Sequence, residues 1–151
     1  MEFIGIDPGV SGAISVIDNN GKQIAFIKNK ETERDVQEFL NSHNMAYFAV
    51  IEKVHSMPAQ GVASSFKFGK SYGFLRGILV ASGIPFEGVS PQKWQKVMEC
   101  RTGGDKNVSK ARAQQLFPTE KITHATADAM LLAEYCRRLY NERNAGKPDP
   151  F

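Results

Sequence analysis

The apolar segment Ala46–Ile51 constrains the fold more than any other part of the chain. A run of this length without polar alternation is typical of a strand buried on both faces of a sheet, which requires helices above and below it. The run ends abruptly, since Glu52 follows directly. The segment therefore predicts an α/β protein in which an acidic residue lies at the end of a central strand.

Three short strands are predicted before this segment, at residues 3–6, 12–17 and 23–27. Turn-forming residues separate the last two, and Asp18 to Gly21 suits a hairpin. A helix follows, because Thr32 and Asp35 have the spacing of a capping box and the apolar residues after them recur at helical intervals, to an end near His43. We therefore expect an antiparallel three-strand meander, a helix and then the buried strand.

The sequence after the buried strand predicts mostly helices. Helices are predicted at 62–81, 91–98 and 109–117, and a last one is capped by Thr126 or Thr123, while residues 85–89 form another strand. The chain is short enough for one domain, which we place at residues 1–143. Residues 144–151 contain Gly146, Pro148 and Pro150 and are expected to form a flexible tail.

Charge is distributed unevenly along the chain. The formal net charge is only +3, yet residues 53–112 contain ten Lys or Arg and three acidic residues. This region is either an ordinary solvated surface or a face that binds a polyanion. Cys100 and Cys136 lack metal-type spacing, and the sequence contains no signal peptide or membrane span, so we expect a cytoplasmic protein without membrane contact.

Three acidic residues occupy unusual positions. Asp7 follows the first strand, Glu52 ends the buried strand, and Asp128 lies in the first turns of the last helix. Each has an ordinary explanation, respectively as a turn former, a partner of Lys53 and a helix-terminus charge. If the buried strand lies parallel to the first, however, Asp7 and Glu52 emerge at the same end of the sheet. Clustered carboxylates repel each other unless a divalent cation is present, so the set predicts a Mg²⁺ or Mn²⁺ site.

Glycines recur at every fourth position of the helix predicted at 62–81, at Gly69, Gly73 and Gly77. Each costs about 1 kcal/mol relative to alanine in a helix, so a stripe of three indicates a packing role. The stripe either packs across the sheet or forms a helix–helix contact in a homodimer.

Several motifs together resemble those of the RuvC-like Holliday junction resolvases, and the phage-type branch fits best. They are the segment Gly5 to Gly9 with Ser11 and Gly12, the strand end Val50 to Val54, the helix segment Phe68 to Gly73, and Ala127 to Ala129. The resemblance covers most of residues 1–143. It implies an RNase H-like fold, a mixed five-stranded sheet of the three-strand meander plus parallel strands, flanked by helices.

The resemblance also implies a function. Members of this family work as homodimers that cut four-way DNA junctions symmetrically, with two divalent ions, Mg²⁺ or Mn²⁺, in each active site. By analogy, Asp7, Glu52 and Asp128 are catalytic metal ligands. The family usually carries a fourth ligand one helical turn before Asp128, where this chain has Ala125.

Three explanations of Ala125 are open: deliberate replacement of an Asp to block cleavage, a natural protein that only binds junctions, or compensation by His124. We favour the first, since the rest of the site reads as intact. The chain is then expected to bind junctions and scarcely cleave them, in the cytoplasm of a bacterium or of an infected host cell.

The basic middle of the chain supplies the expected DNA contacts. The candidates are Lys53, His55, Lys67, Lys70, Lys93, Lys106 and Lys110. Lys106 and Lys110 match a basic segment of the family. Phe66 either packs in the core, which is the favoured interpretation, or stacks on exposed bases. Trp94 is expected in the core.

Two other classes of function compete with the nuclease. A phosphotransferase of the actin and sugar-kinase type also begins with an Asp and a glycine turn after its first strand, but it requires two lobes and a second phosphate-binding loop, for which this chain is too short. An architectural junction-binding protein is the non-enzymatic alternative, and Ala125 makes it credible.

Overall fold

A mixed five-stranded sheet forms the centre of the protein. The computed structural model describes residues 1–53 and 59–147. Its strands are Glu2–Ile6 (β1), Ala13–Asp18 (β2), Gln23–Lys28 (β3), Phe48–Glu52 (β4) and Phe86–Val89 (β5). Its helices are Glu33–Ser42 (α1), Val62–Ala81 (α2), Pro91–Val97 (α3), Lys106–Leu116 (α4) and His124–Asn144 (α5). The predicted order of elements is confirmed.

The sheet has the strand order β3-β2-β1-β4-β5. β1, β2 and β3 form the predicted antiparallel meander, whereas β4 pairs in parallel with β1 on one side and with β5 on the other. In the register of β1 and β4, Ile6 lies beside Ile51. The residues that follow in each strand, Asp7 and Glu52, are consequently at the same end of the sheet.

Helices cover both faces of the sheet. Alternate residues of β1 show this, because Phe3 belongs to the hydrophobic cluster that includes Trp94 of α3 and Leu131 of α5, while Ile4 belongs to the cluster that includes Leu79 of α2. The central strands are therefore buried on both sides, as the apolar segment that ends at Glu52 predicts.

Local capping chemistry sets the helix boundaries. The capping box of Thr32 and Asp35 is present at α1, and Thr123 rather than Thr126 is the N-cap of α5, with Thr126 completing a second capping box. The predicted start of α4 at Ser109 is wrong. That helix begins three residues earlier because the side chain of Asp105 accepts a hydrogen bond from the backbone of Asn107 and caps it.

The C-terminal helix α5 continues to Asn144. The division into a domain at 1–143 and a tail at 144–151 stays a prediction. None of the helices in the described ranges is both long and apolar enough to traverse a lipid bilayer.

Candidate active site

Asp7 is the first residue after β1, and a network of backbone contacts fixes its position. Its N–H donates to the carbonyl of Ala13 at 3.0 Å, and the amide of Asn29 donates to the carbonyls of Asp7 and Gly9 at 2.6 and 2.9 Å. Gly12 permits this close fold of the turn, because a Cβ there would lie 2.1 Å from the carbonyl oxygen of Asp7. The turn therefore presents the Asp7 side chain from a well-braced backbone.

Glu52 is the last residue of β4 and receives a strong hydrogen bond from α3. The indole Nε1 of Trp94 donates to its Oε2 at 2.6 Å. Trp94 is completely buried, as predicted, but it also has this polar role, which the sequence does not reveal. A short bond to an ionised acceptor is stronger than a bond between neutral groups, so Glu52 is held firmly.

Asp128 reaches the same region from the second turn of α5. The helix crosses β1 at very close range, since a Cβ on Gly5 would lie 2.1 Å from the backbone nitrogen of Ala133 and 2.3 Å from the carbonyl oxygen of Ala129. Only glycine permits this approach. One oxygen of Asp128, Oδ1, is buried with no hydrogen-bond partner among the described residues.

The three carboxyl groups affect each other electrostatically. Burial raises the pKa of Asp7 well above its ordinary value, the charges of Asp128 and Glu52 raise it further, and Lys106 opposes them. Burial also raises the pKa of Glu52, with the Trp94 hydrogen bond opposing and Asp128 adding to the rise. The arrangement thus disfavours three negative charges in the absence of a compensating cation.

The pKa of Asp128 is likewise raised by burial. A hydrogen bond from Ser109 and the charges of Lys106 and His124 oppose the rise. Lys106, at the start of α4, is therefore the predicted DNA-binding cation that interacts with the acidic group. Ser109 was predicted only as a helix residue, and its contact with Asp128 is an addition of the structure.

The carboxyl groups do not, however, form a ready-made metal cage. No set of three or more His, Cys, Asp or Glu side chains in residues 1–53 and 59–147 has an arrangement that could hold a metal ion. The structure thus brings the predicted ligands to one end of the sheet and couples their charges, but their side-chain positions are not those of a metal-bound centre.

Ala125 and His124 lie in the first turn of α5, beside Asp128. Ala125 is half-buried, whereas His124 is exposed. The effect of His124 on the pKa of Asp128 indicates that its imidazole is near the acidic group. The position of Ala125 is therefore compatible with that of a missing fourth ligand. The position of His124 is compatible with compensation for that ligand.

The other predicted DNA contacts are spread over several elements. Lys53, exposed after β4, has its aliphatic stem packed over Gly88, with a Cβ on that glycine falling 3.0 Å from Lys53 Cγ and Cε. Lys67 and Lys70 line a cavity of about 230 Å³ between α2 and the turn after β1. Lys93 is exposed on α3, Lys110 is half-buried on α4, and His55 lies outside the described residues.

The glycine stripe of α2 faces away from the rest of the subunit. A Cβ added to Gly69, Gly73 or Gly77 would meet no atom of the described residues within 4 Å, so the interpretation that the stripe packs across the sheet is wrong. Phe66 is 73% exposed on the same helix, and the favoured interpretation of it as a core residue is also wrong. The alternatives that remain are a helix–helix contact in a homodimer for the stripe and stacking on exposed bases for Phe66.

The roles of four residues at the site were not predicted from the sequence. They are Gly5, Asn29, Trp94 and Ser109. Each acts on a residue far away along the chain, as Trp94 does on Glu52 at a separation of 42 positions. The available signal for Gly5 was its presence inside an apolar strand, where a glycine often marks the close approach of another backbone.

Known protein structures resemble this one over nearly its whole length. The RuvC of Thermus thermophilus superposes with a TM-score of 0.64 at 15% identity, covering 95% of this chain and 96% of that one. The same protein in complex with a Holliday junction substrate gives 0.63 at 14% identity, covering 96% of each chain. The fowlpox virus Holliday junction resolvase gives 0.54 at 22% identity, covering 95% of this chain and 99% of that one.

The sequence itself matches no family model and no curated protein. At such low identities the likeness is one of fold, and it agrees with the observed strand order and with helices on both faces of the sheet. The chain therefore has the RNase H-like fold of the Thermus thermophilus RuvC and of the fowlpox virus Holliday junction resolvase.

Proposed function

We propose that this protein is a structure-specific endonuclease subunit that resolves four-way DNA junctions with divalent metal ions, and that Ala125 impairs its cleavage step. The observation that carries the proposal is the placement of Asp7 and Glu52 at the same end of the sheet, where the charge of Asp128 from α5 raises the pKa of both. The structural likeness to resolvases, one of them in complex with a Holliday junction substrate, supports this choice among nuclease substrates.

The chemistry of the donor atoms fits Mg²⁺ or Mn²⁺. Carboxylate oxygens are the ligands that these ions prefer, and the buried, unpartnered Oδ1 of Asp128 is suited to accept a cation. Asp7, Glu52 and Asp128 would hold the metal, with two ions expected per site. When bound, such ions supply a hydroxide nucleophile and stabilise the departing 3′ oxygen.

The chain's own residues have distinct parts in this proposal. The braced turn at Asp7 and the close approach of α5 at Gly5 fix two of the carboxylates on rigid backbone. Lys106, whose charge acts on both Asp7 and Asp128, offsets negative charge in the group and is suited to contact the scissile phosphate. Such preorganised charges account for much of the rate of phosphoryl transfer, so their placement matters more than any proton transfer by the protein.

Ala125 removes one expected ligand while leaving the others in place. We infer that a carboxylate at this position completes the site, and that its absence lowers the rate without removing DNA binding. His124 is the competing candidate for compensation, because it interacts with Asp128. The two explanations differ in whether His124 is needed for whatever activity the chain retains.

Binding of branched DNA is assigned to the basic residues around the acidic group. Lys53, Lys67, Lys70, Lys93, Lys106 and Lys110 are the described candidates, and His55 is a further one. Lysines neutralise phosphates with little sequence dependence, so binding is expected to weaken steeply with salt. Two symmetric cuts require two active sites, which makes a homodimer the expected working unit.

Cleavage of a synthetic four-way junction tests the proposal. The chain and its Ala125→Asp variant are assayed in Mg²⁺ and in Mn²⁺, with Ala125→Asn as a matched control of similar size and no charge. Symmetric nicking that rises by orders of magnitude only in Ala125→Asp supports a metal-dependent resolvase. Adding His124→Ala to the parent chain tests compensation, which predicts loss of residual activity.

The alternative is a junction-binding architectural protein, and Ala125 is the observation that favours it. Tight junction binding, with no cleavage by the parent or by Ala125→Asp in either metal, would replace the nuclease with this function. Failure to bind junctions at all would contradict both. The phosphotransferase alternative requires a second lobe, whereas the described residues form one sheet and its helices.

A further inference from the structure

We propose that Trp94 is a positioning residue for Glu52. Its indole N–H occupies Oε2 and thereby directs the other carboxylate oxygen, Oε1, towards the metal. The inference rests on the proposed function and adds to it a residue that does not itself touch metal or substrate. Trp94 is the one tryptophan of the chain, it is completely buried, and its Nε1 lies 2.6 Å from Glu52 Oε2.

The backbone around this pair is rigid. Glu52 lies beside Val89 in the parallel pairing of β4 and β5, and the N–H of Lys53 donates to the carbonyl of Val89 at 2.8 Å. Ser90 follows directly and caps α3 through a hydrogen bond from Lys93, with Pro91 in the first turn. The helix that carries Trp94 therefore starts directly after the end of β5, which lies beside the end of β4 that carries Glu52, and the indole has little freedom to move away.

The far end of α3 is tied to the helix that faces Asp128. Arg112 of α4 donates from Nε to the carbonyl of Met98 at 2.8 Å and pairs with Glu99 at 3.2 Å. Glu99 has a φ of 57°, a left-handed conformation that a residue with a side chain seldom adopts. The same helix α4 carries Lys106 and Ser109, which act on Asp128. Trp94 is thus part of a connected framework between two of the three carboxylates.

Packing alone does not account for this geometry. A buried indole N–H needs an acceptor, and a backbone carbonyl would satisfy it at lower cost than a buried carboxylate. Instead, the indole selects one oxygen of Glu52, and this is the sole side-chain hydrogen bond to Glu52 among the described residues. A carboxylate with one oxygen fixed has fewer orientations to lose when it binds a cation, and outer-shell donors of this kind commonly alter metal affinity.

The first test uses the parent protein without any change at position 94. The indole gives one ¹H–¹⁵N cross-peak, since the chain has one tryptophan. Addition of Mg²⁺ is expected to shift this peak in step with the binding isotherm from calorimetry, because the carboxylate that accepts the indole hydrogen bond through Oε2 binds the metal through its other oxygen. In Glu52→Gln the peak starts at a different position and no longer responds. A peak that stays unmoved while calorimetry records Mg²⁺ binding overturns the inference.

The second test removes the donor and keeps an aromatic ring. Trp94→Phe is expected to weaken Mg²⁺ binding by about 10- to 100-fold in calorimetry, the range observed for outer-shell partners of metal ligands. Phe117→Leu is the matched control, because Phe117 is buried in the same hydrophobic cluster, and its Mg²⁺ affinity should equal that of the parent. Equal affinities for all three proteins contradict the proposal, as does equal weakening in both variants.

The outcomes separate this inference from the proposed function. Absence of any Mg²⁺ or Mn²⁺ binding by the parent and by Ala125→Asp contradicts the metal-dependent function, and the positioning role with it. Metal binding and junction cleavage that are unaffected by Trp94→Phe, with an unmoved indole signal, contradict the positioning role alone. Should Trp94→Phe fail to fold, as judged by circular dichroism, the indole titration of the parent still decides.

Discussion

At the scale of single residues, the acidic side chains of the candidate active site repel one another in the folded protein. Burial and the charges of Asp128 and Glu52 all raise the pKa of Asp7 well above its ordinary value. Favourable interactions elsewhere in the fold must therefore offset the free-energy cost of this buried charge. A side chain that disfavours the folded state and yet occupies the end of the central strand is typical of a functional position.

We expect Asp7→Asn to raise the melting temperature of the metal-free protein. The amide has nearly the shape of the carboxyl group and no charge, so each kcal/mol of repulsion relieved should add about 2 to 4 °C in a domain of this size. Thermal unfolding at pH 7 with EDTA measures the effect. In the proposed function Mg²⁺ stabilises the parent, and this gain should shrink in Asp7→Asn.

The control for this prediction is Glu38→Gln, which removes an exposed acid that pairs with the exposed Arg34. Its melting temperature should barely change, because exposed ion pairs contribute little. A lower melting temperature for metal-free Asp7→Asn, or the same rise in Glu38→Gln, would argue against electrostatic strain at Asp7.

Glu134 has the opposite electrostatics and leads to a pH-dependent prediction. Burial acts to raise its pKa, but hydrogen bonds and charges from Arg137 and Arg138 outweigh burial and lower it. A carboxyl group with a lowered pKa in the folded state stabilises the protein above its unfolded-state pKa. This contribution disappears as the pH falls through the folded-state pKa.

We therefore expect Glu134→Gln to lower the free energy of unfolding at pH 7 by about 2 kcal/mol. The estimate is well below that for a fully buried pair, since Arg138 remains partly exposed to solvent. Urea unfolding at pH 7 and at pH 3 measures the difference between parent and variant, which should narrow at pH 3. Glu142→Gln, an exposed change on the same helix, should have no such pH dependence, and an equal deficit at both pH values in Glu134→Gln would refute the assignment.

At the scale of elements, the approach of α5 to β1 determines where Asp128 lies. We expect Gly5→Ala to destabilise the protein by about 3 kcal/mol, the upper part of the range for overpacking, because the added methyl group would overlap the α5 backbone and force the helix outwards. Chemical denaturation measures the loss. In the Ala125→Asp background, cleavage should fall as well, since Asp128 moves with α5.

Gly61→Ala is the matched control, as its new methyl group would meet no atom of the described residues within 4 Å and its φ is an ordinary −62°. It should change the free energy of unfolding by less than about 1 kcal/mol. If Gly5→Ala is no more destabilising than this control, the close contact between helix and strand is not a requirement of the fold.

At this scale, features with local causes differ in their predictability from features with long-range causes. The position of Asp7 beside Glu52 was predictable, since it follows from a buried strand, a parallel pairing and the ends of two strands. The helix starts depend on nearby side chains, and the start of α4 was missed because Asp105 was not recognised as its cap. The bond from Trp94 to Glu52 and the contact of Gly5 with α5 depend on tertiary packing, for which the sequence has no short-range signal.

The glycine stripe of α2 is another feature whose orientation the sequence could not predict. Its regular spacing indicates a packing role, but spacing cannot tell whether a helix face turns inward or outward. The outward direction follows from the rest of α2, whose Leu75, Ile78 and Leu79 are buried against the sheet. Once those residues face inward, the stripe has to face away from the subunit.

At the scale of the whole molecule, the outward face of α2 combines the stripe with exposed apolar side chains. Phe66 and Val80 are 73% and 69% exposed, and added atoms at Gly73 would meet open space. Small residues allow two helices to approach closely, and the proposed symmetric cleavage of two strands calls for two subunits. Taken together, these features support a homodimer that forms through α2.

We expect light scattering at micromolar concentration to give a mass of twice the 16.7 kDa subunit, and Gly73→Glu to give a single subunit. The new side chain has room in the isolated subunit, so circular dichroism should show the fold intact, while two buried like charges would oppose close approach of the helices. Gln37→Glu adds the same charge on the exposed side of α1 and should leave the dimer unchanged. A parent that scatters as a monomer, or a Gly73→Glu variant that remains dimeric, would exclude this helix as the interface. In the Ala125→Asp background, the monomeric variant should lose the coordinated pair of cuts, because one junction then meets one active site at a time.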